Sequence, residues 1–124
     1  LIVRGVCALR PGIKGLSENI RVRSIIGRLL EHHRVFYFCA GGEEKVYLSS
    51  ADWMERNFFR RIELAFPILD KKLKRRVIAE GLQIYLTDNQ QAWEMDANGS
   101  YHLRRGSPDK PRCAQSELIE LLKP

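Results

Sequence analysis

Apolar positions along the chain fall into two rhythms, and the rhythm names the elements. Residues 2–9 form a short apolar run, broken by Arg4 and closed by the turn signal Arg10-Pro11-Gly12. That predicts a buried strand. Residues 13–17, flanked by Gly12 and Gly15, read as a loop, with Ser17 or Asn19 as the next helix cap. Over residues 20–33, Val22, Ile25, Ile26, Leu29 and Leu30 recur at three- and four-residue steps, which predicts an amphipathic helix. Arg21, Ser24, Arg28 and His32 would line its polar face.

The rhythm then shortens. Residues 35–39 are β-branched and aromatic, a strand signature. Gly41-Gly42 turns the chain into a second strand at 45–49, as a hairpin with a longer loop. Residues 50–59 have no clear period, which suits a loop or a short helical turn. Residues 61–68 read as a strand ended by Pro67. Asp70 caps a predicted helix over 71–86, with Leu73, Val77, Ile78, Leu82 and Tyr85 along one face. Asn98-Gly99 is a strong hairpin turn, joining strands at 92–95 and 101–104. Residues 105–112 have loop composition, and 114–123 close as a short helix. The order is β-α-β-β-β-α-β-β-α: an α/β layered domain, a mixed β-sheet flanked by helices.

The length of 124 residues suits one domain, 1–124. No run approaches the roughly 20 apolar residues of a membrane span. The opening lacks the form of a signal peptide. The absence of an initiator Met leads us to expect a piece of a longer chain. Twenty-one Lys and Arg against fifteen Asp and Glu leave a net charge of +6. That excess suits an anionic partner such as phosphate, nucleotide or nucleic acid, although many soluble domains are mildly basic without one. The three Cys are irregularly spaced, with no C-x-x-C. A metal site or disulfide framework is not expected, and a reducing cytoplasm is the simplest compartment.

Several kinds of chemistry are excluded. There is no G-x-x-x-x-G-K-[ST] and no G-x-G-x-x-G, and no acidic cluster suggests a metal cage. The informative stretch is Glu31-His32-His33-Arg34. An imidazole beside a guanidinium suits phosphoryl chemistry: His attacks phosphorus or moves a proton, and Arg holds oxygens with its fork. The plainer reading is two His at a helix end, favoured by the dipole. The basic run from Lys71 to Arg76 reads first as a solvated helix face, and second as a track for a polyanion.

His32-x-Arg34, a strand, a Gly turn, a strand and Ser49-Ser50-Ala51-Asp52-Trp53 resemble the phospholipase D superfamily half-site, H-x-K then G-S-x-N. Arg34 replaces the Lys, Asp52 the Asn, and Cys39 stands near the missing acid. Longer words resemble one branch more closely. They are Leu1-Ile2-Val3-Arg4-Gly5, Gly15-Leu16-Ser17-Glu18-Asn19-Ile20, Ser24-Ile25-Ile26-Gly27-Arg28-Leu29-Leu30-Glu31-His32 and Val46-Tyr47-Leu48-Ser49-Ser50-Ala51-Asp52-Trp53-Met54. These resemble the C-terminal catalytic domain of bacterial polyphosphate kinases of the long, histidine-phosphorylated type. The likeness continues through Arg56-Asn57, Arg60-Arg61-Ile62-Glu63 and Pro67-Ile68, and weakens after about Asp88.

The resemblance implies a phospholipase D-like fold and reversible transfer of the terminal phosphoryl group of ATP to polyphosphate. It implies that the phosphorylated His and the Mg2+ ligands lie in the preceding catalytic domain, outside this chain. Arg4 and His32 match the family's nucleotide-phosphate contacts, with His32 as phosphate contact or acid/base. Arg4, ending a buried strand, would need an anionic partner, whether phosphate or carboxylate. Arg21, Arg28 and Arg34 rank second, as sources of a positive field, and Ser50 and Asp52 as braces of the half-site. His33 is not expected to take part. Trp53, Trp93 and the Phe58-Phe59 pair are expected in a core or at an interface with the preceding domain. The implied partners are ATP or ADP and polyphosphate, in a homo-oligomeric parent that is cytoplasmic, either free or membrane-associated. The rival readings are a phospholipase D-like phosphodiesterase or nuclease half-site, and a basic, non-catalytic nucleic-acid-binding module.

Overall fold

Backbone pairing begins where the sequence reads a helix. In the computed structural model, which describes residues 1–105 and 110–124, Val22–Ile25 is strand β1. The chain continues through β2 (Val35–Ala40), β3 (Glu43–Ser49), α1 (Glu55–Arg60), β4 (Ala65–Pro67) and α2 (Lys71–Ile78). A π-helical turn (Ala79–Gln83) follows, then α3 (Ile84–Thr87), β5 (Ala92–Met95), β6 (Tyr101–Leu103) and α4 (Ala114–Leu121). The α/β class is as the sequence implies. The strands form two three-stranded sheets rather than one mixed sheet, and every strand pair is antiparallel. The elements group into two units, Leu1–Leu30 with Ile84–Pro124, and Glu31–Gln83. Among the described residues, no helix is long and apolar enough to cross a membrane.

The first unit holds the sheet β1-β5-β6, with Val22 opposite Met95 and Ile25 opposite Ala92. The helix expected over 20–33 is absent. Ser24, read as a polar helix position, is buried, and so is the neighbouring Arg23. Arg23 donates to the carbonyls of Tyr85 (3.3 Å) and Leu86 (2.7 Å) and to Glu94 (2.8 Å). The Ser24 hydroxyl donates to the Val3 carbonyl. With those polar groups satisfied, the β-branched residues Val22 and Ile25 take the extended form they prefer. Gly27 then lies against two amides: a Cβ there would come within 2.4 Å of the Gln91 and Gln115 side-chain oxygens. The strand expected over 2–9 shrinks to one parallel bridge between Ile2 and Arg23. Gly5 turns the backbone to φ +92° and takes the chain out of the pairing.

Strands β5 and β6 and their turn form as expected. Gly99 has φ +87°, and Asp96 accepts from the amides of Asn98 (2.8 Å) and Ser100 (3.0 Å). Val22, Tyr85, Ala92, Met95 and Ala114 are the buried apolar residues of this unit. The loop reading of 105–112 falls partly on residues 106–109, outside the described residues.

The second unit holds the sheet β2-β3-β4. Ala40 pairs with Glu43, so the hairpin turn is two residues, shorter than expected. Gly41 (φ +66°) and Gly42 (φ +94°) supply the two positive φ values such a turn demands. The strand read over 61–68 forms only as Ala65–Pro67, because only those residues find a ladder partner on β3. The Asp70 side chain caps α2, accepting from the amides of Lys72 (2.9 Å) and Leu73 (2.8 Å). Val46, Ala51 and Asn57 are the buried residues here.

Candidate functional site

Hairpin register brings two chemical words together. Val35 opposes Leu48, and the Ser49 amide donates to the Arg34 carbonyl at 3.1 Å. The residue pair His32-x-Arg34 therefore enters β2 beside the exit of β3, where Ser49–Asp52 leaves the sheet.

The central contact is Arg34 with Asp52. The Arg34 Nε and a terminal guanidinium nitrogen both donate to Asp52 Oδ1 at 2.9 Å. The two side chains are 26% and 28% exposed, so the pair is shielded yet reachable from water. The hydrogen bond to Asp52 raises the Arg34 pKa above its ordinary value, with burial opposing it. Two of five donors are committed, and the plane of the guanidinium is fixed. Asp52 is held in turn: its carbonyl accepts from Asn57 Nδ2 (2.9 Å) and the Met54 amide (2.8 Å). Asn57 is buried, and its Oδ1 has no hydrogen-bond partner among the described residues.

Ser50 is tied elsewhere. Its hydroxyl donates to the Glu63 carboxylate and accepts from the Leu64 amide at 2.9 Å. A hydroxyl engaged this way joins the start of the half-site to the segment before β4. His32 is exposed at the head of this segment. His33 turns to the π-helical turn, its Nε2 lying 3.2 Å from the Gly81 carbonyl. The neighbouring rings are largely open: Trp53 stacks on Phe36 at 5.9 Å while 75% exposed, and Phe58 and Phe59 are exposed.

Arg4, Arg21 and Arg28 belong to the first unit, and all three are exposed. The buried, strand-ending Arg4 expected from the sequence is not found, because the chain leaves the sheet just after Val3. Arg4 stands in a bend at the surface. The single polar stripe expected for Arg21, Ser24, Arg28 and His32 dissolves with the helix: Ser24 is buried, and the others sit in irregular backbone.

Residues 1–115 match the family described as polyphosphate kinase C-terminal domain 2. The chain belongs to this polyphosphate kinase domain family. It is 71% identical to the polyphosphate kinase of Burkholderia cenocepacia (strain HI2424) over 105 residues, 85% of this chain and 15% of that protein. It is 66% identical to that of Paraburkholderia phytofirmans over 119 residues, 96% of this chain and 17% of that protein. The crystal structure of polyphosphate kinase from Porphyromonas gingivalis superimposes with a TM-score of 0.90 at 43% identity, covering 98% of this chain and 18% of that one. The chain thus spans under a fifth of the length of these polyphosphate kinases.

Sequence reasoning missed the polar side chains that shape this polyphosphate kinase domain from inside. Asp88 is fully buried. Its Oδ1 accepts from the amides of Gln90, Gln91 and Ala92 (2.9, 2.7 and 3.1 Å), and its Oδ2 from Ala114 (2.8 Å). One carboxylate thereby starts β5 and α4. The next residue, Gln115, accepts from the Leu29 amide (2.9 Å) and donates to the Leu29 carbonyl (2.7 Å), as a paired strand would. That clamp fixes backbone three residues before His32 in sequence. The signal was faint: an Asp opening a polar run before a strand, and a Gln at the start of an amphipathic helix. Arg23 was legible in principle, as a charge inside an apolar word. Its burial lowers its pKa below the ordinary value, with Glu94 opposing.

Proposed function

We propose that residues 1–124 form one C-terminal domain of a polyphosphate kinase and supply nucleotide and phosphate contacts to its active site. The observation that carries this is the meeting of His32-x-Arg34 with Ser49–Asp52 in a chain of this family. The reaction moves the terminal phosphoryl group of ATP. A histidine nitrogen outside this chain bonds to the γ-phosphorus as the bond to the ADP oxygen breaks. A terminal oxygen of polyphosphate then bonds to that phosphorus as the P–N bond breaks, and the polymer grows by one unit. The reverse sequence makes ATP.

Such a transfer asks the protein chiefly for position and charge compensation. Arg4 neutralises non-bridging oxygens with its fork. His32 holds a phosphoryl oxygen or gives a proton to the departing one. Arg34, its plane set by Asp52, adds positive potential in the second unit, and exposed Arg21 and Arg28 add positive charge on the first. Ser50 braces. The family resemblance implies magnesium ligands in the preceding domain, and no step is drawn through the metal; among the described residues, no group of three or more His, Cys, Asp and Glu is placed to hold one. The open rings of Trp53, Phe58 and Phe59 suit contact with the preceding domain.

The test uses the whole polypeptide that contains this chain. ATP formation from ADP and polyphosphate should fall roughly 100-fold or more in Arg4→Ala and in His32→Ala. Thermal midpoints should stay unchanged, and Ser50→Ala should lose only a few-fold. Full activity in both Arg4→Ala and His32→Ala overturns the assignment.

A further inference from the structure

We propose that the outward face of α2 is a docking surface for a linear polyphosphate chain, formed by Lys71, Lys72 and Arg75. The proposal rests on the polyphosphate kinase reading and adds a second place where the polymer is held. Five of the eight residues of α2 are basic. Two are consumed by the fold. Lys74 Nζ donates to the Glu44 carbonyl at 2.8 Å, and Arg76 makes a two-point contact with Glu80 at 2.8 and 3.1 Å. Lys71, Lys72 and Arg75 are exposed and make no ion pair among the described residues. Their three- and four-residue spacing makes them neighbours on the helix surface.

Their position is what distinguishes them from an ordinary solvated face. Lys71 and Lys72 occupy the first turn of α2, where the helix dipole disfavours positive charge. The first turn holds no acidic residue, and Asp70 alone offsets the charge as the cap. A sequence serving helix stability alone would place Asp or Glu here. Lysines kept against the dipole and against each other are accounted for by a polyanion that relieves both repulsions. The polymer must be single and unbranched, since the three charges form a narrow patch. Nucleic acid fits less well, because α2 carries no aromatic ring on which a base would stack.

The experiment measures binding of long-chain polyphosphate, tripolyphosphate and oligothymidylate to the whole polypeptide that contains this chain, across a salt series. The variant is the triple substitution Lys71→Gln, Lys72→Gln and Arg75→Gln. For long-chain polyphosphate, affinity should fall at least roughly tenfold and the slope of log affinity on log salt should flatten by about 2. Tripolyphosphate binding should be unchanged in this variant and lost in Arg4→Ala/His32→Ala, which separates failure here from failure of the active-site reading. The ligand-free thermal midpoint should stay level or rise, since the substitutions remove charge the dipole opposes. An unchanged salt slope overturns the proposal. So does a lowered midpoint, which would make the three residues structural. Equal loss of oligothymidylate and polyphosphate binding overturns it in favour of a nucleic-acid surface.

Discussion

The two units use polar side chains in opposite ways. In the first, Asp88 and Gln115 are 0% and 3% exposed, and their hydrogen bonds go to backbone groups. In the second, Arg34 and Asp52 are each about a quarter exposed and bond to each other. Apolar burial follows the same division. The first unit encloses Val22, Tyr85, Ala92, Met95 and Ala114, whereas the second encloses only Val46 and Ala51 among its described hydrophobic residues. Enclosed polar groups shape backbone at the cost of being unreachable. Half-open charges contribute less to stability and stay available to a ligand. The difference teaches that enclosed Asp88 and Gln115 serve as scaffold, whereas Arg34 and Asp52 stay accessible for chemistry, as exposed Arg4 does in the first unit.

The sharpest way to break this contrast is Asp88→Ala. Four backbone amides would lose their acceptor inside the protein, and removing one side of a buried charged contact costs about 3–5 kcal/mol. Urea unfolding should show that loss, large beside the total stability of a domain. Asp88→Asn keeps an acceptor for the amides of Gln90, Gln91 and Ala92 but turns an NH2 toward Ala114, so it should lie between. A cost below about 1 kcal/mol for Asp88→Ala would mean that water replaces the carboxylate, and the scaffold account would fail.

Arg34→Lys should show the reverse balance. An ammonium gives Asp52 one contact point instead of two and does not hold a plane. Stability should drop by about 1 kcal/mol or less, as for other pairs open to water. Phosphotransfer by the whole polypeptide should fall more, roughly tenfold to a hundredfold, because a displaced charge compensates poorly. The comparison collapses if denaturation shows more than about 2 kcal/mol lost while activity stays within twofold.

What the sequence made legible follows from how local each signal was. The hairpins around Gly41-Gly42 and Asn98-Gly99, and the Asp70-capped helix, are specified by residues within a few positions, and each is present. The meeting of His32-x-Arg34 with Ser49–Asp52 was readable for the same reason, since one hairpin does it. Residues 20–33 misled because a three- and four-residue apolar spacing also arises in an extended segment whose polar members are buried. Arg23 and Ser24 satisfy that burial through Glu94, Leu86 and Val3, none of them near in sequence. The Gln115 clamp joins residues 86 apart, and the Asp88 bond to Ala114 joins residues 26 apart. Backbone partners that distant leave no periodic trace.

The mildest expected effect returns to the first unit, at the turn between β5 and β6. Asp96 accepts from the His102 ring (2.9 Å) and from the amides of Ser100 and Asn98. The His102 contact, then the Ser100 bond, hold its carboxyl below the usual aspartate range. A depressed folded-state value means the ionised form favours the fold. The contribution is complete above about pH 4, the ordinary Asp value, and fades as pH falls through the lower folded value. Neutral pH lies outside that window, so activity there should not respond. In an acid titration followed by NMR, the Asn98 and Ser100 amides should shift together, with a midpoint below that of a free Asp. Asp96→Ala should abolish the shared transition and leave the rest of the first unit intact. A midpoint at or above the ordinary value would show that this turn is shaped by Gly99 and the strand pairing instead. It would also leave Asp88 and Gln115, the enclosed groups, as the polar side chains that matter to this unit.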